Sequence, residues 1–234
     1  MERETLVSII SQRVIAELQK AGIPVASQKP PGSSPVASYT QSTQGTLQIP
    51  IGVSVRHVHI CREDLDVLYG PGYQLTQRNE LTQPGQFAAN EVVSVIGPKL
   101  RSITEVRILG PLRDQTQVEL ARTDAIPLGI DPPIAESVKI KGGATVVLVG
   151  PKGSVKLNAA IRSSRHIHMH PDDALRLGVK DREYVRVRIP GETGVVFDNC
   201  LIRIHPSFKL ELHLDTDDAN AAGVHCGSIA EIVR

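Results

Sequence analysis

The chain has 234 residues, of which 41 % are hydrophobic and 22 % charged, with a net charge of +1. That is room for one large domain or two small ones with ordinary cores. No apolar run approaches the roughly 18–20 residues of a membrane helix. A near-zero charge, 3 % aromatics and no Trp leave no general handle for nucleic acid, and three scattered cysteines imply no disulfide framework.

Residues 1–22 read as an amphipathic helix. Leu6, Val7, Ile10, Val14 and Leu18 share one face at 3.6-residue spacing, and Gly22 with Pro24 closes it. Its early acids and broken apolar pattern do not make a secretory signal. Residues 23–46, rich in Ser, Pro, Gly, Gln and Thr, read as a flexible linker, because they offer too little apolar surface to offset ordering. From about Leu47 the chain changes to short Val/Ile/Leu-rich runs separated by Gly, Pro, Asn and Asp: IPIGVSVRHVHI, EVVSVIG, EVRILGP, TQVELA, ATVVLVG, YVRVRIP, LIRIHP and KLELHLD. Such spacing predicts a mainly β fold of barrels or a sandwich. Short helices are expected at 62–69, 88–93, 171–177 and 217–222.

The most informative feature is an internal repeat. Ser54-Val-Arg-His-Val-His matches Ser163-Ser-Arg-His-Ile-His at an offset of 109, and VELARTDAIPLGI matches LHLDTDDANAAGV at an offset of 94. The chain therefore divides into a first copy at 47–150 and a second at 151–234. In a strand, residues i and i+2 share a face, so His57 projects with His59 and His166 with His168. Two imidazoles on one face suit Zn²⁺, and the repeat supplies a third ligand to each copy, Glu119 in the first and His213 in the second. Cys61, His170, His205 and His225 lack such partners and are read as structural.

Lys99, Arg101, Arg107 and Arg113 form a basic group ahead of Glu119, suited to an oxyanion but equally readable as a solvated face. No phosphate-loop, dinucleotide or serine-hydrolase signature is present.

IPIGVSVRHVHI, ILGPLRDQTQVEL, SSRHIHM and KLELHLDTDDANA together resemble the PduL-type phosphotransacylases, the phosphate propanoyltransferases of bacterial microcompartments. The resemblance spans residues 47 to the C-terminus, and the leading helix resembles an encapsulation peptide that would engage shell or cargo proteins. It implies two antiparallel β-barrels of like topology with short flanking helices, the N-terminal strand contributing to the barrel of the C-terminal half. It implies transfer of a propanoyl group between coenzyme A and phosphate, giving acyl phosphate. It implies two zinc ions per chain, one on His57, His59 and Glu119, the other on His166, His168 and His213. Arg113 matches a phosphate-binding arginine. Val53, Ser54, Val55, Lys99, Arg107 and Asn220 match coenzyme A contacts. Ser137 is a further candidate for positioning phosphate. A homodimer within a microcompartment lumen is the expected state, without membrane or nucleic acid. The ligand sets alone also suit a dinuclear zinc hydrolase of thioesters or phosphoesters, or a zinc-stabilised binding barrel.

Overall fold

The computed structural model describes Lys20, residues 48–136 and residues 142–233. The expected helix at 1–22 (Lys20 apart), the linker at 23–46 and Ser137 lie outside the described residues.

The first copy runs β1 (Ile49–Ser54), β2 (His57–His59), α1 (Arg62–Tyr69), β3 (Gln77–Glu80), β4 (Phe87–Ile96), β5 (Ser102–Gly110), β6 (Gln117–Glu119), α2 (Arg122–Leu128), β7 (Ile134–Ala135) and β8 (Ala144–Val149). The second runs β9 (Ser154–Ser163), β10 (His166–Met169), α3 (Pro171–Leu177), β11 (Tyr184–Ile189), β12 (Val195–Ile204), β13 (Glu211–Asp215), α4 (Thr216–Ala222) and β14 (Ile229–Val233).

These strands close two six-membered rings. One follows the order β1-β13-β10-β12-β11-β14, the other β9-β6-β2-β5-β4-β8, with β3 and β7 added outside the second ring. The two orders are equivalent strand for strand. In each ring four neighbouring pairs are antiparallel and two parallel, so the barrels are mainly antiparallel. Each copy lends its first strand to the other: β1 closes the barrel of the second copy and β9 that of the first. A chain closed in this way leaves few bare strand edges.

Alternation along the strands explains both cores. In β2 the side chain of Val58 is fully buried, and in β10 those of Ile167 and Met169 are. Val58 packs with Ile108, Val118 and Leu148 in one barrel, and Ile167 with Ile51, Ile202 and Leu212 in the other. The histidines, on the opposite face of the same strands, point away from these cores. The helices α2, α3 and α4 end at left-handed glycines, Gly129, Gly178 and Gly223.

Two expectations need correction. Residues 88–93 are not helical but part of β4. The Ala-Ala…Val-Val spacing imitates a helical period because the pairing of β4 with β5 shifts register between Ala88 and Val92, and the irregularity breaks the period-2 pattern. The other is an omission: the sequence shows no helical signal for α2, because Pro127 sits inside it, whereas its counterpart α4 is legible.

Candidate active site

The histidines belong to short strands flanked by a parallel and an antiparallel neighbour. Across the antiparallel pair His57 faces Glu119, and in the second copy His166 faces His213. Residues in register share a face, so pairing alone brings the third group to each pair of imidazoles. The ligand atoms of His57, His59 and Glu119, and those of His166, His168 and His213, lie within 4.8 Å of one another in each set. Glu119 Oε2 is 3.6 Å from His57 Nε2, and its Oε1 is 3.8 Å from His59 Nε2.

Local bonds fix how these rings present themselves. His57 Nδ1 lies 2.8 Å from Val55 O, and His166 Nδ1 lies 2.9 Å from Ser164 O. An Nδ1–H donated to a carbonyl two residues back leaves Nε2 as the lone-pair atom facing the cluster. Gln117 donates from Nε2 to Glu119 Oε1 and orients that carboxylate. Equivalent ion pairs tie each ligand strand to the helix behind its third ligand: Arg56 to Asp124 at 2.9 Å, and Arg165 to Asp218 through two bonds of 2.7 and 2.8 Å.

Burial keeps most of the imidazoles neutral. It pushes His59 to about 2 and His168 to about 2, His166 to about 3 and His213 to about 4. Burial acts on His57 as well, but the charge and hydrogen bond of Glu119 with the Val55 carbonyl more than offset it, and its pKa is raised. Neutral imidazoles beside one carboxylate are a transition-metal donor set. Both ring nitrogens of His168 and Nε2 of His213 are buried without a hydrogen-bond partner. Orphaned buried nitrogens are costly unless something binds them, so the residues fit a divalent metal.

Both sets open on one cavity of about 930 Å³. Arg113 and Arg203 reach its wall, one from the loop after β5 and one from β12. Burial lowers the pKa of each guanidinium; at Arg113 the charge of Glu119 opposes this and that of Arg203 adds to it, while at Arg203 Glu136 opposes it and Arg182 adds to it. Two half-buried cations facing one space favour an anion between them. Phe208 stacks on His168 with centroids 4.0 Å apart.

Of the residues singled out from the sequence, all six proposed ligands, Arg113, Arg107 and Val53 to Val55 line this cavity. Arg107 faces the same side as His57, its cross-strand partner, and donates to Ala89 O at 2.7 Å. Lys99 is not in the wall; its side chain lies across Gly129 at the end of α2. Asn220 is exposed on α4 and is also outside the wall. Cys61 and His170 are helix N-caps, as a structural role requires. Sequence reasoning missed Arg203, Gln83, Glu211 and Cys226, which all line the cavity. Arg203 stands where the first copy has Leu109, since His59 pairs with Leu109 and His168 with Arg203. The repeat therefore hid it.

Two histidine-rich metal-type sets and two arginines on one cavity of a double barrel are the lining of an enzyme site suited to an anionic substrate. The family model for phosphate propanoyltransferase matches residues 50–225. A phosphate propanoyltransferase of Thermotoga maritima is 50 % identical over 188 residues, covering 80 % of this chain and 89 % of the relative. One of Lachnoclostridium phytofermentans is 49 % identical over 194 residues, covering 82 % and 91 %. One of Rhodopseudomonas palustris is 40 % identical over 235 aligned positions, covering 100 % and 99 %. The chain belongs to the phosphate propanoyltransferase family, and it is a phosphate acyltransferase acting on acyl-CoA and phosphate.

Proposed function

We propose that the chain transfers a propanoyl group between coenzyme A and phosphate at a two-zinc site, by direct attack of phosphate on the thioester. The observation that carries this reading is the opening of both ligand sets and both arginines on one cavity. His57, His59 and Glu119 would hold one zinc, and His166, His168 and His213 the other. Bound zinc supplies Lewis-acid charge at a carbonyl or phosphate oxygen.

The chain's own groups do the rest. Arg113 and Arg203 bind phosphate oxygens and turn a remaining one toward the thioester. Arg107 and the Val53–Ser54–Val55 backbone hold coenzyme A along the wall. We assign Lys99 and Asn220, outside the wall, to its outer nucleotide portion, and Ser137 to phosphate. A carbon–oxygen bond forms as the carbon–sulfur bond breaks, and the proton of hydrogen phosphate ends on the coenzyme A sulfur. Direct attack needs no covalent acyl-enzyme. Cys226 is the thiol to exclude, since its Sγ receives Val53 N–H at 3.3 Å in the cavity wall.

We further propose a homodimer, addressed to a bacterial microcompartment by residues 1–22 through an apolar helix face that packs on shell or cargo proteins. The chemistry is tested by following acyl phosphate and free thiol from propanoyl-CoA plus phosphate, beside acetyl-CoA, with Cys226→Ser in parallel. Equal release of both products, retained by Cys226→Ser, supports direct transfer. Thiol release without acyl phosphate would mean hydrolysis, and loss of turnover in Cys226→Ser would mean a covalent route.

A further inference from the structure

Glu211 is a buried carboxylate, only 7 % exposed, for which the reaction described above has no use. It opens β13, two residues before His213, and it pairs in register with His168, so all three lie on one face of the sheet. Its Oε2 is 3.2 Å from His213 Nε2, closer than Glu119 comes to either imidazole of its own set. Yet that nitrogen makes no hydrogen bond, so the contact is a close approach to a donor atom rather than a bond that satisfies it.

Two further features hold the carboxylate in place. Gln83, 4 % exposed, comes from the connection between β3 and β4 in the other barrel. Its Nε2 donates to Glu211 Oε2 at 3.1 Å and to Lys209 O at 3.1 Å, while its Oε1 accepts from Lys209 N at 3.2 Å. On the other side is Gly52 of β1. A Cβ there would come within 2.6 Å of Glu211 Oε1 and 2.7 Å of its carboxyl carbon. The carboxylate therefore occupies room that exists because residue 52 has no side chain.

The copies show why a carboxylate is needed. Positions 117 and 119 of the first copy correspond to 211 and 213 of the second, by register with the paired histidines. The first copy has Gln then Glu, the second Glu then His. Each set thus has one carboxylate, at exchanged positions. Three neutral imidazoles would leave a dication with its full charge, and the cation of Arg203 stands in the same wall as the register partner of His168. A fixed negative group beside the set offsets both.

We propose that Glu211 is a positioning residue for the second metal: held by Gln83 and by the space at Gly52, it supplies the negative charge that lets the three-histidine set retain a divalent cation beside two arginines. This rests on the two-zinc reading above.

The test uses the full chain. Zinc per chain is measured after dialysis against graded chelator for the native sequence, Glu211→Gln and Gln83→Leu, each also in a His57→Ala background that disables the first set. Glu211→Gln keeps shape and removes charge. It should release the second zinc at about 10- to 100-fold lower chelator, the loss typical of an outer-sphere partner. Gln83→Leu, which leaves all ligands and Glu211 intact, should shift release in the same direction by less. The visible absorption of the cobalt(II)-loaded His57→Ala chain should change with Glu211→Gln, a readout that general loosening of the barrel would not move in protein with native circular dichroism. Native retention of two zinc ions by Glu211→Gln, or by Gln83→Leu if Glu211→Gln does not fold, overturns the inference alone. A native chain that binds no zinc would overturn the two-zinc reading, and this inference with it.

Discussion

Arg113 and Arg203 enter the cavity from opposite barrels, and their identity as arginines matters more than their charge. A guanidinium offers two parallel donors to a pair of phosphate oxygens, whereas an ammonium offers a point charge. Arg113→Lys should raise the phosphate KM about tenfold, equivalent to about 1.4 kcal/mol, with folding and metal content unchanged. Steady-state rates at varied phosphate check this, and an unchanged phosphate dependence would remove Arg113 from the site. The imidazoles make a second residue-scale prediction. Burial holds His59, His166, His168 and His213 below their usual 6.5, so the unfolded chain takes up protons first as pH falls. Their stabilisation is complete above about 6.5 and is lost on acidification toward 4, by at most about 1.4 kcal/mol per pH unit for each group. His57, with its raised pKa, acts in the opposite sense, stabilising at low pH and losing that contribution as pH rises through its folded value. Four groups against one decide the sign. Metal-stripped protein should have a lower urea midpoint at pH 5.5 than at pH 7.5; an unchanged midpoint would mean that these rings are not held neutral by burial.

The strand β10 is a short element that joins stability to chemistry. Its four residues alternate, with His166 and His168 toward the cavity and Ile167 and Met169 in the barrel core. Ile167→Ala leaves a void in a fully buried position and should cost about 2–5 kcal/mol of stability. It should also lower turnover, since the ligands on the opposite face lose their backing. Denaturant unfolding and a rate assay at a temperature where the variant is folded read the two effects; full activity in a destabilised variant would show that the ligand face is held by the cross-strand bonds alone. Elements of this kind were legible in the sequence because His-x-His, read at period two, gives a face without knowledge of partners. What a strand pairs with was not legible. Arg203 and Glu211 reach the site through register with His168, a long-range fact absent from local pattern. The strand β3, QRNE, is exposed at every position and carries no apolar signal at all. At Gly110 the sequence shows a turn-like Gly-Pro, but the structural need is different: a Cβ there would meet the Phe87 ring at 2.2 Å.

At the scale of the whole molecule, the exchange of β1 and β9 makes the two copies one folding unit, since neither can close its barrel from its own strands. Thr123 and Asp217, at equivalent positions of α2 and α4, meet each other, as residues near the axis of an internal two-fold must. The catalytic unit defined by these contacts begins at β1, whose first residue is Ile49, and the family model begins at residue 50. Two relatives at about half identity cover 80 % and 82 % of the chain, and one at 40 % identity covers all of it. On the proposed reading residues 1–22 serve addressing rather than catalysis. Deleting them should leave specific activity and zinc content unchanged, while the apolar face read from the sequence at Leu6, Val7, Ile10, Val14 and Leu18 is removed as a packing surface. On the proposed reading, the deletion also abolishes sequestration within shells, and Ile10→Glu with Val14→Glu reproduces it at full length, because charge on that face forbids burial against a partner helix. The paired measurements are specific activity of the truncated enzyme and the position of a fluorescent reporter fused to residues 1–22 in shell-producing cells. Activity and zinc falling together on truncation would place the helix in the catalytic unit. A reporter that stayed diffuse beside assembled shells would end the targeting proposal while leaving the catalytic one untouched.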